Sequence, residues 1–584
     1  MKTNSNPGGW PARLLERLRL LLARPDALVP LALLGLLSGL CAGGVIIGFR
    51  YLVESSQTRL LPGGFGENYE ALQFSLRAAL PIGAGIGLAI MFRLVARSDT
   101  MLGVAGVMNR MAYHQGRITV RGFALQFVGA ALAIIGGHSV GREGPNVYLG
   151  SAAGSLLGQY LGAPNNAIRT LAACGTAAGI AASFNTPLAG VIFALEVVMM
   201  EYTVASFVPV ILAAVGATTL SNLVFGTAPA FAMPALQIHS MAELGLVIGL
   251  AVGCGAIAAI FNRAIQAVAV LTKRLAIWWR MPIAGCIAGI IGVFVPQVMG
   301  IGYDTVSLAL VGDLALTLTA VLVVAKLLAT AVAVGCGVPG GMIGPALFIG
   351  AMAGATVSGA LAAGNIGTAT DAGFYALLGM GAMMSASLHA PLAALTAMLE
   401  LTDNPAVILP GMLAVVVSRL AASELFGGQS LFISTLKAAG MDYDASPVLQ
   451  ALRRIGVAGV MNTQFVRVDR KLTGEQAHAA LVGEPAWLLV DENDAPAFML
   501  RAVDLARQLE TEPPAADASV DLKEIPARRY AVAPVHLDET LQQAIARIER
   551  GEGEALYVQR IAVPGINRIY GVLTREAIEG AYRK

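Results

Sequence analysis

A carboxylate set between glycines, with a proline behind it, is the most chemically pointed element of this chain: Gly141-Arg142-Glu143-Gly144-Pro145. About two hundred residues on, Gly340-Gly341-Met342-Ile343-Gly344-Pro345 repeats the glycines and the proline without the acid. Glycine lets an ion approach backbone amides with no Cβ in the way, and proline suits the first turn of a helix. A helix N-terminus leaves N–H groups unpaired and carries a partial positive charge. Two such termini facing each other would hold an anion without a full positive charge, so the ion can also leave. The pattern points to an anion rather than a cation. Glu143 then competes for the same amides. Ionised, it fills the site as a tethered anion; protonated or swung aside, it opens the path, which makes it a gate and proton carrier. The plainer alternative is a structural carboxylate paired with Arg142.

These breaks need helices on either side. The run Leu327–Thr370 carries no charge and is long enough for two crossings, yet Gly335-Cys336-Gly337-Val338-Pro339-Gly340-Gly341 lies in its middle. Broken backbone at membrane depth is tolerated only where protein or a cavity surrounds it, so the break implies an internal site. The chain also repeats itself. Asn185-Thr186-Pro187-Leu188-Ala189-Gly190 leads to Glu196, and His389-Ala390-Pro391-Leu392-Ala393-Ala394 leads to Glu400 at the same interval. Gly175 and Gly379 keep that offset, and Pro145 and Pro345 nearly do. Paired interrupted segments in two halves are the sequence mark of a midplane transport site.

Composition sets the frame. The 584 residues are 56% hydrophobic and 13% charged, which excludes a soluble enzyme and a disordered chain. The net charge of +2 gives no sign of a nucleic-acid partner. Residues 1–440 hold half of the Asp, Glu, Lys and Arg, and residues 441–584 hold the other half. The shorter segment thus has an ordinary soluble composition of about 25% charged residues. A membrane domain at 27–440 and a tail at 441–584 follow. Residues 1–26, with Arg13, Arg17, Arg19 and Arg24 against Glu16, form a basic amphipathic stretch of the kind that lies on the cytoplasmic surface. Cys41, Cys174, Cys254, Cys286 and Cys336 lack metal spacing and are expected in the core. His114, His138, His239 and His389 lack carboxylate partners at ligand spacing, and no HExxH, GxSxG or GK[ST] motif appears in the membrane part.

On Gly141–Pro145, Gly341–Pro345 and Asn185–Gly190 the sequence resembles the CLC family of chloride channels and chloride/proton antiporters. The resemblance implies an all-α polytopic membrane domain of two inverted repeats with broken helices. It also implies a homodimer with one anion pore per subunit, in the cell (inner) membrane, with both termini cytoplasmic. Glu143 would be the gating glutamate, and the amides of Gly141, Arg142, Gly144, Gly341, Met342, Ile343 and Gly344 would line the anion path.

Several positions depart from the family pattern. The serine of the first motif, which donates a hydroxyl to the central anion, aligns with Leu102 in Met101-Leu102-Gly103-Val104-Ala105. The pore tyrosine aligns with Phe432, and the phenylalanine of the second break with Ile343. Leucine and phenylalanine cannot donate a hydrogen bond, so both usual side-chain hydroxyls are absent. In many antiporter members two acids end the first PLAG helix, and the second relays protons; here the pair is Glu196-Val197. Glu196 reads as structural, because Glu400 sits at the same helix end of the second repeat. Valine at 197 favours a channel, with chloride/proton antiport through Glu143 as the alternative.

The tail resembles an α/β pair of CBS domains at about 457–510 and 525–584. Their nucleotide-contacting aspartate is kept as Asp504 in the first, while the second has Gly571-Val572-Leu573-Thr574 followed by Ala577 in its place. This split match leaves two expectations, an adenine-nucleotide site or a module that stabilises the dimer. No other cofactor is implied.

Overall fold

A computed structural model describes residues 21–22, 27–64, 66–95, 101–201, 204–227, 231, 243–364, 372–402, 404, 407–441, 447–493, 495–515, 518–563 and 566–582. Most of the expected amphipathic stretch at 1–26, and His239, lie outside the described residues. The chain divides into two compact units, one of Leu31–Gln159 with Arg169–Asp444, the other of Ala445–Lys584 with Met1–Pro30 and Tyr160–Ile168.

The first unit is helical. Among the described residues nine helices are long and apolar enough to cross a membrane: Leu28–Leu60, Phe74–Val95, Asn165–Phe184, Ser206–Phe225, Glu243–Thr272, Ile277–Phe294, Leu316–Gly335, Ile343–Ala363 and Ile408–Leu425. Shorter apolar helices, among them Val120–Ile135 and Pro391–Leu401, fill the space between. Lipid offers helices no hydrophobic drive to associate, so close backbone packing must hold them. The glycines supply it in matching places of the two halves. A Cβ on Gly175 would lie 2.0 Å from the carbonyl oxygen of Gly150, and one on Gly379 would lie 2.1 Å from that of Gly350. Any side chain there would part the helices.

Each half also breaks where its glycines cluster. Helix Val120–Ile135 ends, the chain turns through Gly137 at φ 78°, and helix Glu143–Tyr160 begins. Helix Leu316–Gly335 ends, Gly337 turns at φ 88°, and helix Ile343–Ala363 begins. These positive φ values suit glycine because L side chains clash there. Asn185 and His389 share φ 59° just before Pro187 and Pro391, so both helix starts are entered through the same left-handed residue. Cys174, Cys254 and Cys336 are buried as expected; Cys41 and Cys286 are exposed on the protein surface. Exposure to lipid costs a thiol little, so composition could not distinguish the two groups.

The second unit is α/β. Strand Phe465–Asp469 pairs parallel with Trp487–Glu492, which pairs antiparallel with Ala495–Arg501. Strand Tyr530–His536 pairs parallel with Ala555–Val563, which pairs antiparallel with Ile566–Thr574. The motifs join through Ala495–Arg501 and Tyr530–His536 into one six-stranded sheet. Each parallel connection carries a short helix, Gly474–Leu481 or Leu541–Glu549, opened by a capping box, Thr473 with Gln476 and Thr540 with Gln543. Thr–x–x–Gln satisfies two free amides at each helix start.

Candidate anion site

The two breaks meet back to back. The Gly141 N–H donates to the Gly341 carbonyl at 2.8 Å, and the Gly341 N–H returns a bond to Gly141 at 2.7 Å. This changes the role of two expected anion ligands. The amides of Gly141 and Gly341 are directed at each other and brace the helix starts, because antiparallel backbone at this spacing pairs both donors. A Cβ on Gly144 would lie 2.7 Å from the Gly341 Cα, so glycine is needed for the approach.

Helix Glu143–Tyr160 starts at the acid itself, and helix Ile343–Ala363 starts with Met342 as its cap. Glu143 is fully buried. Its Oε2 accepts the Gly344 N–H at 2.9 Å, so a carboxylate occupies the position offered by the second helix start. A Cβ on Gly344 would lie 2.8 Å from that oxygen. The other oxygen, Oε1, accepts the hydroxyl of Tyr303. Arg142 does not pair with Glu143: its Nη1 lies 3.2 Å from Glu54 and its guanidinium sits 5.4 Å over the Tyr303 ring. The alternative reading of Glu143 as the partner of Arg142 is therefore not what the side chains do.

Beside the carboxylate lies a cavity of about 30 Å³ lined by Glu143, Phe184, Thr186, Phe193, Ile343 and Leu401, among others. That is room for about one water, and its walls are largely apolar. Met342 and Ile343 are buried at the helix start. Leu102 caps helix Gly103–Tyr113, whose first amide, that of Gly103, donates to Gln126 Oε1 at 2.7 Å. Phe432 is fully buried at the start of Leu431–Ala438, its ring edge-on to Phe193 at 6.5 Å. Val197 is buried in the π-helical turn Ala194–Met199, and neighbouring Glu196 accepts the N–H groups of Leu392 and Ala393 at 3.2 and 2.7 Å.

Sequence reasoning missed Tyr303 and the residues that hold it. Lys326 is fully buried and donates to the carbonyls of Val298, Gly300 and Ile301 at 3.0–3.1 Å. Those carbonyls form the turn leading into Tyr303. Glu67 Oε2 accepts the Tyr303 N–H at 2.8 Å. One signal was present. Lys326 is the sole charge in Leu316–Gly335, and a charge inside an apolar span requires a partner.

A family model described as voltage gated chloride channel matches residues 82–423. The chain belongs to the CLC family. A ClcB-like chloride channel protein of Ralstonia nicotianae is 32% identical over 417 residues, 70% of this chain and 96% of that protein. The H+/Cl− exchange transporter ClcA of Vibrio cholerae is 28% identical over 326 residues, 53% of this chain and 68% of that protein. Among solved structures, a slow cyanobacterial Cl−/H+ antiporter superposes with TM-score 0.63 at 23% identity, over 70% of this chain and 97% of that one. A eukaryotic CLC transporter superposes with TM-score 0.58 at 19% identity, over 97% and 98%. As a CLC member this is a multi-pass membrane protein of anion transport and not an enzyme. The fold is the helical CLC membrane domain followed by an α/β region.

Proposed function

We propose that the protein is a chloride channel gated by Glu143, with one pore in each subunit of a homodimer. The observation that carries this reading is the Glu143 carboxylate bonded to the Gly344 amide, a tethered anion in the place a free one would take. Anion ligands in this reading are the amides of Arg142, Gly144, Met342, Ile343 and Gly344, with Leu102 and Phe432 as apolar walls at the inner end. Channel rather than antiport action is supported by Val197, which offers no second acid, and by Glu196, whose oxygens are engaged by helix amides. Antiport is the second reading. It is supported by relatives named H+/Cl− exchange transporters, such as ClcA of Vibrio cholerae. Liposomes loaded with the purified protein and given a chloride gradient at equal pH decide between them. Uphill proton movement would overturn the channel reading.

The setting follows the same logic. The protein sits in the cell (inner) membrane with both termini cytoplasmic, the membrane domain at 27–440 and the tail at 441–584. The tail is a CBS pair that stabilises the dimer. Asp504 opens helix Ala502–Thr511, but its counterpart is Ala577, and Thr574 caps its own helix by accepting the Ala577 N–H at 3.2 Å. Calorimetry with ATP tests this, and heat from saturable binding would restore the nucleotide site.

A further inference from the structure

The pore lacks both hydroxyls that the family pattern places at its centre, since Leu102 and Phe432 carry none. The structure brings a hydroxyl to the anion path from a different element. Tyr303 begins helix Tyr303–Val311, and its side chain donates to Glu143 Oε1 while Gly344 donates to Oε2. Two donors from separate elements thus converge on one anionic group.

We propose that the Tyr303 hydroxyl is both the latch that holds the Glu143 carboxylate in the closed gate and a ligand of the transported anion once that carboxylate has left. The proposal rests on reading Glu143 as the gate. It assigns the donor role to a residue outside the motifs that carry the resemblance.

The hydroxyl is positioned independently of Glu143. Glu67 holds the backbone N–H of Tyr303, and Lys326 holds the carbonyls of the turn before it. Phe231 meets the ring edge-on at 5.4 Å, Phe184 lies at 6.0 Å, and the Arg142 guanidinium covers the face at 5.4 Å. When the carboxylate moves away, these contacts remain, and the hydroxyl still points into the vacated position. A donor fixed in advance needs no reorganisation when charge arrives. Arg142 and Glu67 act on the Tyr303 hydroxyl, Arg142 and Lys326 act on Glu143, and Glu54 pairs with Arg142. Among the described residues, only Tyr303 and Gly344 donate hydrogen bonds to the Glu143 carboxylate.

The sign of the effect follows. A hydrogen bond to the ionised carboxylate favours that form. Without it, the Gly344 amide alone holds the carboxylate at the closed position, and the carboxylate leaves the path more often.

The test uses the full-length protein in liposomes. Tyr303→Phe keeps the ring and its packing and removes only the hydroxyl. Its chloride flux at neutral pH is expected to rise about tenfold over the parent, the effect of losing one hydrogen bond to a charged group. In a Glu143→Ala background, which has no gate carboxylate, Tyr303→Phe is expected to weaken chloride binding about fivefold or more by calorimetry. Unchanged flux overturns the latch, and unchanged chloride affinity in the ungated background overturns the ligand role. A merely structural role would lower the melting temperature and leave both readouts in place, and that result also overturns the proposal. If Glu143→Ala keeps the parental pH dependence, the gate reading fails, and the affinity arm still decides whether Tyr303 binds the anion.

Discussion

Glu196 and Glu400 each cap the helix that carries the other. Glu400 accepts the N–H groups of Leu188 and Ala189 at 2.8 and 2.7 Å, at the start of the helix leading to Glu196. Glu196 accepts those of Leu392 and Ala393, at the start of helix Pro391–Thr402, where Glu400 lies. An acid at a helix N-terminus meets free amides and the positive end of the helix dipole. The repeat seen in the sequence is thus a reciprocal lock in space.

The lock predicts matched losses. Glu196→Gln and Glu400→Gln should each destabilise the protein by about 0.5–2 kcal/mol, the range for losing a helix cap. Thermal melting in detergent checks this. Because Glu196 is engaged as a cap, Glu196→Gln should leave proton movement unchanged relative to Glu400→Gln. A selective loss of proton flux in Glu196→Gln would make Glu196 a relay.

Glu143→Ala removes the group that fills the Gly344 position. Anion flux should then be high and nearly independent of pH, because no gate carboxylate is left to compete for the Gly344 amide. Flux assays at a series of pH values check it, and retained pH dependence would move the gate elsewhere.

Lys326→Met deletes a buried cation that serves three carbonyls of the turn before Tyr303. Losing hydrogen bonds to a charged group costs roughly 2–3 kcal/mol, so melting should drop by more than in either cap variant. Chloride flux should rise, in the same direction as for Tyr303→Phe, because the hydroxyl loses its support. Flux, measured beside the melting curve, separates the two effects.

In the tail, Arg470 bonds Asp521 at 2.9 Å and Glu492 at 3.1 Å, and Lys523 also pairs with Glu492 at 2.6 Å. The Arg470 guanidinium holds the Asp521 carboxyl below its usual range, and Lys523 with Arg470 does the same for Glu492. Depressed carboxylates contribute stability above their unfolded values, about 3.9 for Asp and 4.3 for Glu, and lose it as pH falls through the lower folded values. The tail transition in calorimetry of the full chain should therefore hold steady above about pH 5 and fall in more acidic buffer. Arg470→Met should flatten that acid limb.

Much of the site was legible beforehand because its physics is local. Glycine beside proline forces a helix to break and start again, so Gly141–Pro145 and Gly341–Pro345 announced two helix starts. The equal spacing of Pro187 to Glu196 and Pro391 to Glu400 announced the repeat. The tail stood out by charge alone. Less legible were pairings between distant segments. Gly141 and Gly341 looked like anion ligands because each had a free amide in its own segment; only their approach across 200 residues pairs those amides.

Tyr303 shows the same division most clearly. Its acid partner Glu143 is 160 residues away in the chain, farther than any local pattern reaches. Its role depends on Lys326 and Glu67 bending one turn toward the helix start of another half. Residue order decided where helices break, which residues are charged and which hydroxyls are missing, because those are properties of short segments. Tertiary packing decided which donor reaches the gate carboxylate, because a hydrogen bond of about 3 Å depends on where distant backbones come to rest.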